Sequence, residues 1–187
     1  MKLSNIGNKY IVINKNSQLK YNNNIFYIKG LYGIFKIRIN SNIKLKLFNK
    51  DRLYILYRSV AGKYYNFNLW GTYRTLIQNI LYGLSYGNKQ KLNIIGWGYK
   101  SLLIYKVLFL SIGFSHILGI KVPNNIILTS TDKRPYSLVL YGSDKINVNY
   151  FTNVIRLLKI PDVYKGKGII YENEIIKLKE GKESFDF

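Results

Sequence analysis

One internal repeat constrains this chain more than any other feature. Setting residue n beside residue n+83 aligns Ile11 with Ile94, Leu19 with Leu102, Phe26 with Phe109 and Gly30 with Gly113. Further along, Ile34 meets Ile117, Ile37 meets Ile120, and the pair Asn42-Ile43 meets Asn125-Ile126. Apolar positions continue in phase, with Ile55 opposite Leu138 and Tyr57 opposite Leu140. A chain of 187 residues that repeats itself in this way builds one supersecondary unit twice.

The repeat also bears on the most apolar stretch, SLLIYKVLFLSIGFSHILGI at 101–120. Twenty such residues are long enough for a transmembrane helix, so an integral membrane protein using 101–120 as its span is the alternative reading. Lys106 sits inside the stretch, however, and Gly113, Ser115 and His116 interrupt its second half. Its counterpart, NSQLKYNNNIFYIKGLYGIF at 16–35, is too polar to cross a bilayer. Alternation and Asn/Gly punctuation read there as strand, turn and strand.

Each half then carries several strands, closing with DRLYILYRS (51–59) or RPYSLVLYGS (134–143), and then one helix. The first helix is expected from Leu69 to Leu84, with Leu76, Ile80 and Leu84 on its inner face. The second is expected to start near GSDKIN, capped by Ser143 or Asp144. It turns Val148, Phe151, Ile155 and Leu158 inward and stops by Pro161. The fold class is α+β, with two tandem, duplicated domains, each an antiparallel sheet with one helix on a face. The boundaries are 1–87 for the first repeat, 88–177 for the second and 178–187 for a tail.

Charge narrows the function. Lys and Arg number 29 against 9 Asp and Glu, a net charge of +20, which calls for a polyanionic partner. Nucleic acid is the usual one. The 48% of apolar residues can form a packed core, so the charge belongs to a folded protein. With no cysteine and His116 as the single histidine, disulfides, thiol catalysis and Cys- or His-based metal clusters are excluded. The acids form no compact carboxylate group for acid–base chemistry. No cofactor, metal, catalytic residue or small-molecule substrate is expected. Abundant Asn, Lys, Ile, Tyr and Phe point to an AT-rich genome, and the amino terminus lacks the pattern of a signal or transit peptide.

VYKGKGIIYENE at 163–174 invites a phosphate-loop reading, which fails. A Walker loop needs G-x-x-x-x-G-K followed by Ser or Thr, whereas Lys167 is followed by Gly168. GWGYKS at 96–101 lacks the third glycine of a dinucleotide loop.

Several strings, in order, carry a family resemblance: SNIGNK (4–9), KGLYGIF (29–35), GTYRTLIQNILYGLSYG (71–87), GWGYKS (96–101) and LSIGFSH (110–116). GSDK (142–145), VYKGKGIIYENE (163–174) and KLKEGK (177–182) follow. Over nearly its whole length the chain resembles bacterial-type large-subunit ribosomal protein L-six. The resemblance implies a non-enzymatic constituent of the large ribosomal subunit. It implies binding to large-subunit rRNA near the sarcin–ricin loop and stalk base, beside neighbouring ribosomal proteins and close to where translation GTPases dock. With the AT-rich bias, it implies a mitochondrial ribosome, with plastid or bacterial cytoplasm as alternatives. Trp70 stands where the family usually has histidine, Val163 replaces a proline, and the turn at Tyr105-Lys106 lacks the usual glycine and polar residues. The ending ESFDF is acidic and apolar, which suits a protein contact.

The expected rRNA contacts centre on Tyr164, Lys165, Gly166, Lys167 and Gly168. The lysines neutralise phosphates, the glycines let backbone amides approach them, and Tyr164 can stack on an unpaired base. Arg74, Tyr99, Lys100, Lys145, Arg156 and Lys159 join them by position, and Lys177, Lys179 and Lys182 form a basic tail.

Overall fold

The computed structural model describes residues 4–14, 17–48, 52–57, 68–131 and 136–181. Fifteen elements follow one another in these segments. In the first half they are β1 (Ile11–Val12), β2 (Gln18–Asn22), β3 (Ile25–Gly30), β4 (Gly33–Arg38), β5 (Ile43–Phe48), β6 (Arg52–Tyr57) and α1 (Asn68–Tyr86). In the second they are β7 (Asn88–Ile95), β8 (Lys100–Ile104), β9 (Val107–Ser111), β10 (Leu118–Lys121), β11 (Ile126–Ser130), β12 (Tyr136–Gly142), α2 (Lys145–Leu157) and β13 (Gly168–Tyr171). The chain forms two compact units, Met1–Asn88 with Ser143–Lys145, and Lys89–Gly142 with Ile146–Phe187.

The fold is α+β, and among the described residues each unit has one helix and two small sheets rather than a single sheet. The first unit pairs β2-β3-β4 and β1-β6-β5; the second pairs β8-β9-β10 and β11-β12-β7-β13. Each has its own core. Phe26, Ile28, Ile43, Leu53, Trp70, Ile77 and Leu84 belong to the first, and Leu92, Leu108, Leu110, Leu138, Phe151, Ile155 and Ile169 to the second. Alternation along the strands follows from the two-residue pleat: β9 buries Leu108 and Leu110 and turns Phe109 outward.

The membrane reading of 101–120 is overturned. That stretch forms β8, a turn, β9, a loop and β10, paired antiparallel. Among the described residues no helix is long and apolar enough to cross a membrane. Residues 105 and 106 form a two-residue hairpin turn of the type I′ class, the one with positive φ at both central positions. Tyr105 and Lys106 adopt φ of 44° and 63°.

The duplication is real in architecture, but no single offset describes it. The first hairpin of each half turns at Asn23-Asn24 and at Tyr105-Lys106, 82 residues apart. Its pairing agrees: Leu19↔Ile28 corresponds to Ser101↔Leu110. Phe26 therefore matches buried Leu108, and its alignment with exposed Phe109 puts the two rings on opposite faces. From β4 and β5 onward the offset is 83, with Ile43 N–H donating to the Asn40 carbonyl as Ile126 N–H does to that of Pro123. In β6 and β12 it becomes 85, because Ile43↔Tyr57 corresponds to Ile126↔Gly142.

The helices match at 71. Buried Ile77, Ile80, Leu81 and Leu84 correspond to Val148, Phe151, Thr152 and Ile155. The inner face of α1 thus runs through Ile77, with Leu76 only partly buried against the core. α2 ends at Leu157, ahead of Pro161. Trp70 is absorbed as a core residue, 6% exposed, its indole N–H donating to the Ile55 carbonyl at 2.6 Å.

Candidate nucleic-acid interface

The segment 162–168 is a built turn. Asp162 organises it: one carboxylate oxygen accepts the Tyr164 N–H at 3.3 Å and the other accepts the Lys165 N–H at 3.3 Å. Its own carbonyl accepts the Gly166 N–H at 2.9 Å, and its N–H donates to the Lys167 carbonyl at 2.9 Å. An Asp that bonds the backbone ahead of it is a standard turn former. On the far side, Ile169 N–H donates to the Lys159 carbonyl at 2.9 Å. β13 then joins the sheet through Gly168↔Ile95 and Ile169↔Ile94.

This geometry changes the role of the two glycines. Gly166 has φ of +66°, a conformation that L side chains rarely adopt. A Cβ on Gly168 would lie 2.6 Å from Pro161 Cα and 2.8 Å from Pro161 N. Both positions are accounted for by the turn itself. The amides of Tyr164, Lys165 and Gly166 already have acceptors within the turn, which leaves the ammonium groups as the loop's main offer to a phosphate.

The tail lies along this loop. Lys179 N–H donates to the Val163 carbonyl at 2.9 Å, and Leu178 Cδ2 lies 3.5 Å from where a Cβ on Gly166 would sit. Two clusters separate in sequence are thereby joined: Tyr164, Lys165 and Lys167 from the loop, Lys177 and Lys179 from the tail, all exposed. Lys182 lies outside the described residues, as does ESFDF.

The remaining candidates divide. Lys100 is exposed at the start of β8. Lys159 holds its Nζ 4.8 Å from the centre of the Phe114 ring, which stacks on His116 with ring centres 6.0 Å apart. Lys145, exposed at the start of α2, groups by its contacts with the first unit rather than with the loop and tail.

Three others are turned to internal work. Tyr99 is 9% exposed and belongs to the second core. Its ring fills the space over Gly96, where a Cβ would lie 2.5 Å from it. The ring is spent on packing at a position where rRNA contact was expected. Arg156 makes a two-pronged ion pair with Glu174, one arm at 3.0 Å, and its guanidinium lies 5.7 Å from the Tyr171 ring centre. The Arg156 hydrogen bond holds the Glu174 carboxyl below the usual carboxylate range, aided by the Tyr171 N–H at 3.1 Å. Arg74 reaches the Lys9 and Tyr10 carbonyls, each at 3.4 Å, and bonds Gln78. Arg156 and Arg74 make these internal contacts at positions where rRNA contact was expected.

Trp97 is a residue not among the expected contacts. It is 87% exposed and lines an open apolar groove with Ile94, Ile95, Tyr136, Lys165 and Lys167. Its signal in the sequence was a lone tryptophan between two glycines, a poor place for a core residue.

No protein-family model matches the chain. Comparison with curated proteins finds full-length relatives. The large ribosomal subunit protein uL6m of Reclinomonas americana is 41% identical over 186 residues, covering 97% of this chain and 100% of that protein. The large ribosomal subunit protein uL6 of Thermosipho melanesiensis is 33% identical over 190 residues, with 97% and 100% covered. That of Streptococcus uberis is 36% identical over 180 residues, with 96% and 98% covered.

Proposed function

Because this chain belongs to the uL6 family of large ribosomal subunit proteins, we propose that it is a structural, non-enzymatic constituent of that subunit which grips large-subunit rRNA through its second unit. The observation that carries this reading is the joined loop and tail. Lys165, Lys167, Lys177 and Lys179 converge there from two segments tied by the Lys179–Val163 hydrogen bond. Phosphate neutralisation by these lysines supplies affinity without reading sequence. Nine acids cannot offset 29 basic residues, so the cationic surplus remains available to a polyanion. Lys100 and Lys159 extend the basic surface.

The family resemblance directs this grip to rRNA near the sarcin–ricin loop and stalk base, where the protein supports the site used by translation GTPases and touches neighbouring ribosomal proteins. The AT-rich composition and the similarity to the uL6m of Reclinomonas americana favour a mitochondrial ribosome. The domain division that serves this function is 1–87 and 88–177, followed by a tail.

The test is binding of the full chain to a transcribed domain of large-subunit rRNA at increasing salt. Each phosphate neutralised contributes roughly −0.7 to −0.9 to the log–log slope. Replacing the four lysines by alanine is expected to reduce the slope by about 3. A salt-independent affinity, or an unchanged slope in the quadruple variant, refutes the assignment.

A further inference from the structure

We infer that Trp97 is a stacking platform for a single unpaired RNA base whose flanking phosphates are held by Lys165 and Lys167. This deepens the rRNA-binding reading above and rests on it.

Trp97 is carried on a short, fixed turn. Tyr99 N–H donates to the Gly96 carbonyl at 3.4 Å, and Gly98 has φ of +79°. A positive φ at the third position is what a type II turn requires, which leaves Trp97 at the second, pointing away from the turn. The turn is pinned from below. The Tyr99 ring, in the core, packs so closely under Gly96 that a Cβ there would meet it at 2.5–2.8 Å. On its other side the ring approaches Gly113, where a Cβ would lie 3.2 Å away. With its backbone fixed in this way, Trp97 has little main-chain freedom left to lose when its ring is covered, and that favours a stacking contact.

The groove beside it supplies the rest. Ile94, Ile95 and Tyr136 make an apolar wall, and Lys165 and Lys167 stand at its rim. Apolar face and cationic rim suit a nucleotide, whose base is flat and apolar on its faces and whose phosphates are anionic. A protein segment matches both features only where an aromatic side chain happens to adjoin an acid, whereas every nucleotide joins a flat face to an anion. A duplex offers only its phosphates, because its bases are stacked on one another. The ligand is therefore an unpaired base in a loop, bulge or end.

The experiment follows the emission of Trp97 in the full chain, titrated with an oligouridylate or with an RNA duplex of equal length. The other tryptophan, Trp70, is buried, so quenching reports Trp97. The single strand is expected to quench and the duplex is not. Trp97→Ala should weaken single-strand binding about 5- to 150-fold with the salt slope unchanged, while Trp97→Phe retains most of the affinity. The pair Lys165→Ala and Lys167→Ala should instead lower the slope by about 1–2. Equal quenching by duplex, or wild-type affinity in Trp97→Ala, overturns this inference while leaving salt-dependent rRNA binding intact. So does a Trp97→Ala protein that binds RNA normally yet fails to enter large-subunit particles, which would assign the indole to a protein partner. Failure of every RNA to bind at low salt removes both readings.

Discussion

The glycines of the KGKG loop separate structural from RNA-binding explanations, and replacing each by alanine decides between them. At Gly168 the added Cβ would sit 2.6 Å from Pro161 Cα and 3.0 Å from Ile160 C. Ordinary contact begins near 3.4 Å, so backbone atoms, not a pliable side chain, must give way. Overpacking of this kind costs about 1–3 kcal/mol. The backbone at Gly168, with φ of +155°, adds about 1–3 kcal/mol for a residue with a side chain. A total near 3 kcal/mol follows, which for a unit of ~100 residues lowers the melting midpoint by about 10–25 °C. At Gly166 the Cβ meets only Leu178 Cδ2 at 3.5 Å, and the cost is the left-handed φ of +66°. That is about 1 kcal/mol, or roughly 4–8 °C. Scanning calorimetry of the full chain measures both, with the loss confined to the transition of the second unit. The reasoning is refuted if Gly168→Ala melts with the wild type, if Gly166→Ala costs more, or if either variant loses RNA affinity at unchanged stability.

Two other perturbations test separate links. Glu174→Gln removes the partner of a half-buried Arg156 and should destabilise the second unit by about 1–2 kcal/mol in urea titration at neutral pH. Since Arg156 depresses the folded-state pKa of Glu174, the pair's contribution is present above the unfolded carboxylate pKa of about 4.3 and is lost as pH falls through the folded value. The wild-type and Gln curves should therefore converge in acid; parallel curves would rule the pair out. At the second hairpin, Lys106 has φ of 63°, where glycine carries no steric penalty. Lys106→Gly should stabilise by about 0.5–1 kcal/mol, less the loss of its 3.4 Å contact with Asn124; a destabilised variant contradicts the turn assignment.

The repeat was legible as a repeat, but its apparent register was misleading. Phe26 and Phe109 are identical residues on opposite faces, whereas the true counterparts, Phe26 and Leu108, share only burial. Sequence matching rewards identity, and a pleated strand enforces only parity. The shift from 83 to 85 between β5/β11 and β6/β12 leaves no mark in the sequence pattern, since a step of two preserves every inward position. The basic loop and tail were legible from composition. Their junction was not, because one backbone hydrogen bond from Lys179 to Val163 leaves no trace in side-chain type. Tyr99 read as a binding residue because tyrosine serves both cores and surfaces, and only the two glycines against its ring decide the matter. Arg156 and Arg74 read as phosphate ligands because their partners, Glu174 and the carbonyls of Lys9 and Tyr10, are remote in sequence.

β13 leaves the basic loop directly for the core, with Gly168, Ile169 and Ile170 all buried. The loop and the second unit's interior therefore belong to one cooperative block, while the first unit has a separate core. Bound RNA acts as a ligand of the folded state, and its free energy accrues to the block that holds it. Saturating rRNA should raise the melting temperature of one half and leave the other where it was. On the reading that the second unit carries the grip, heating the RNA complex should melt the first unit ahead of the second.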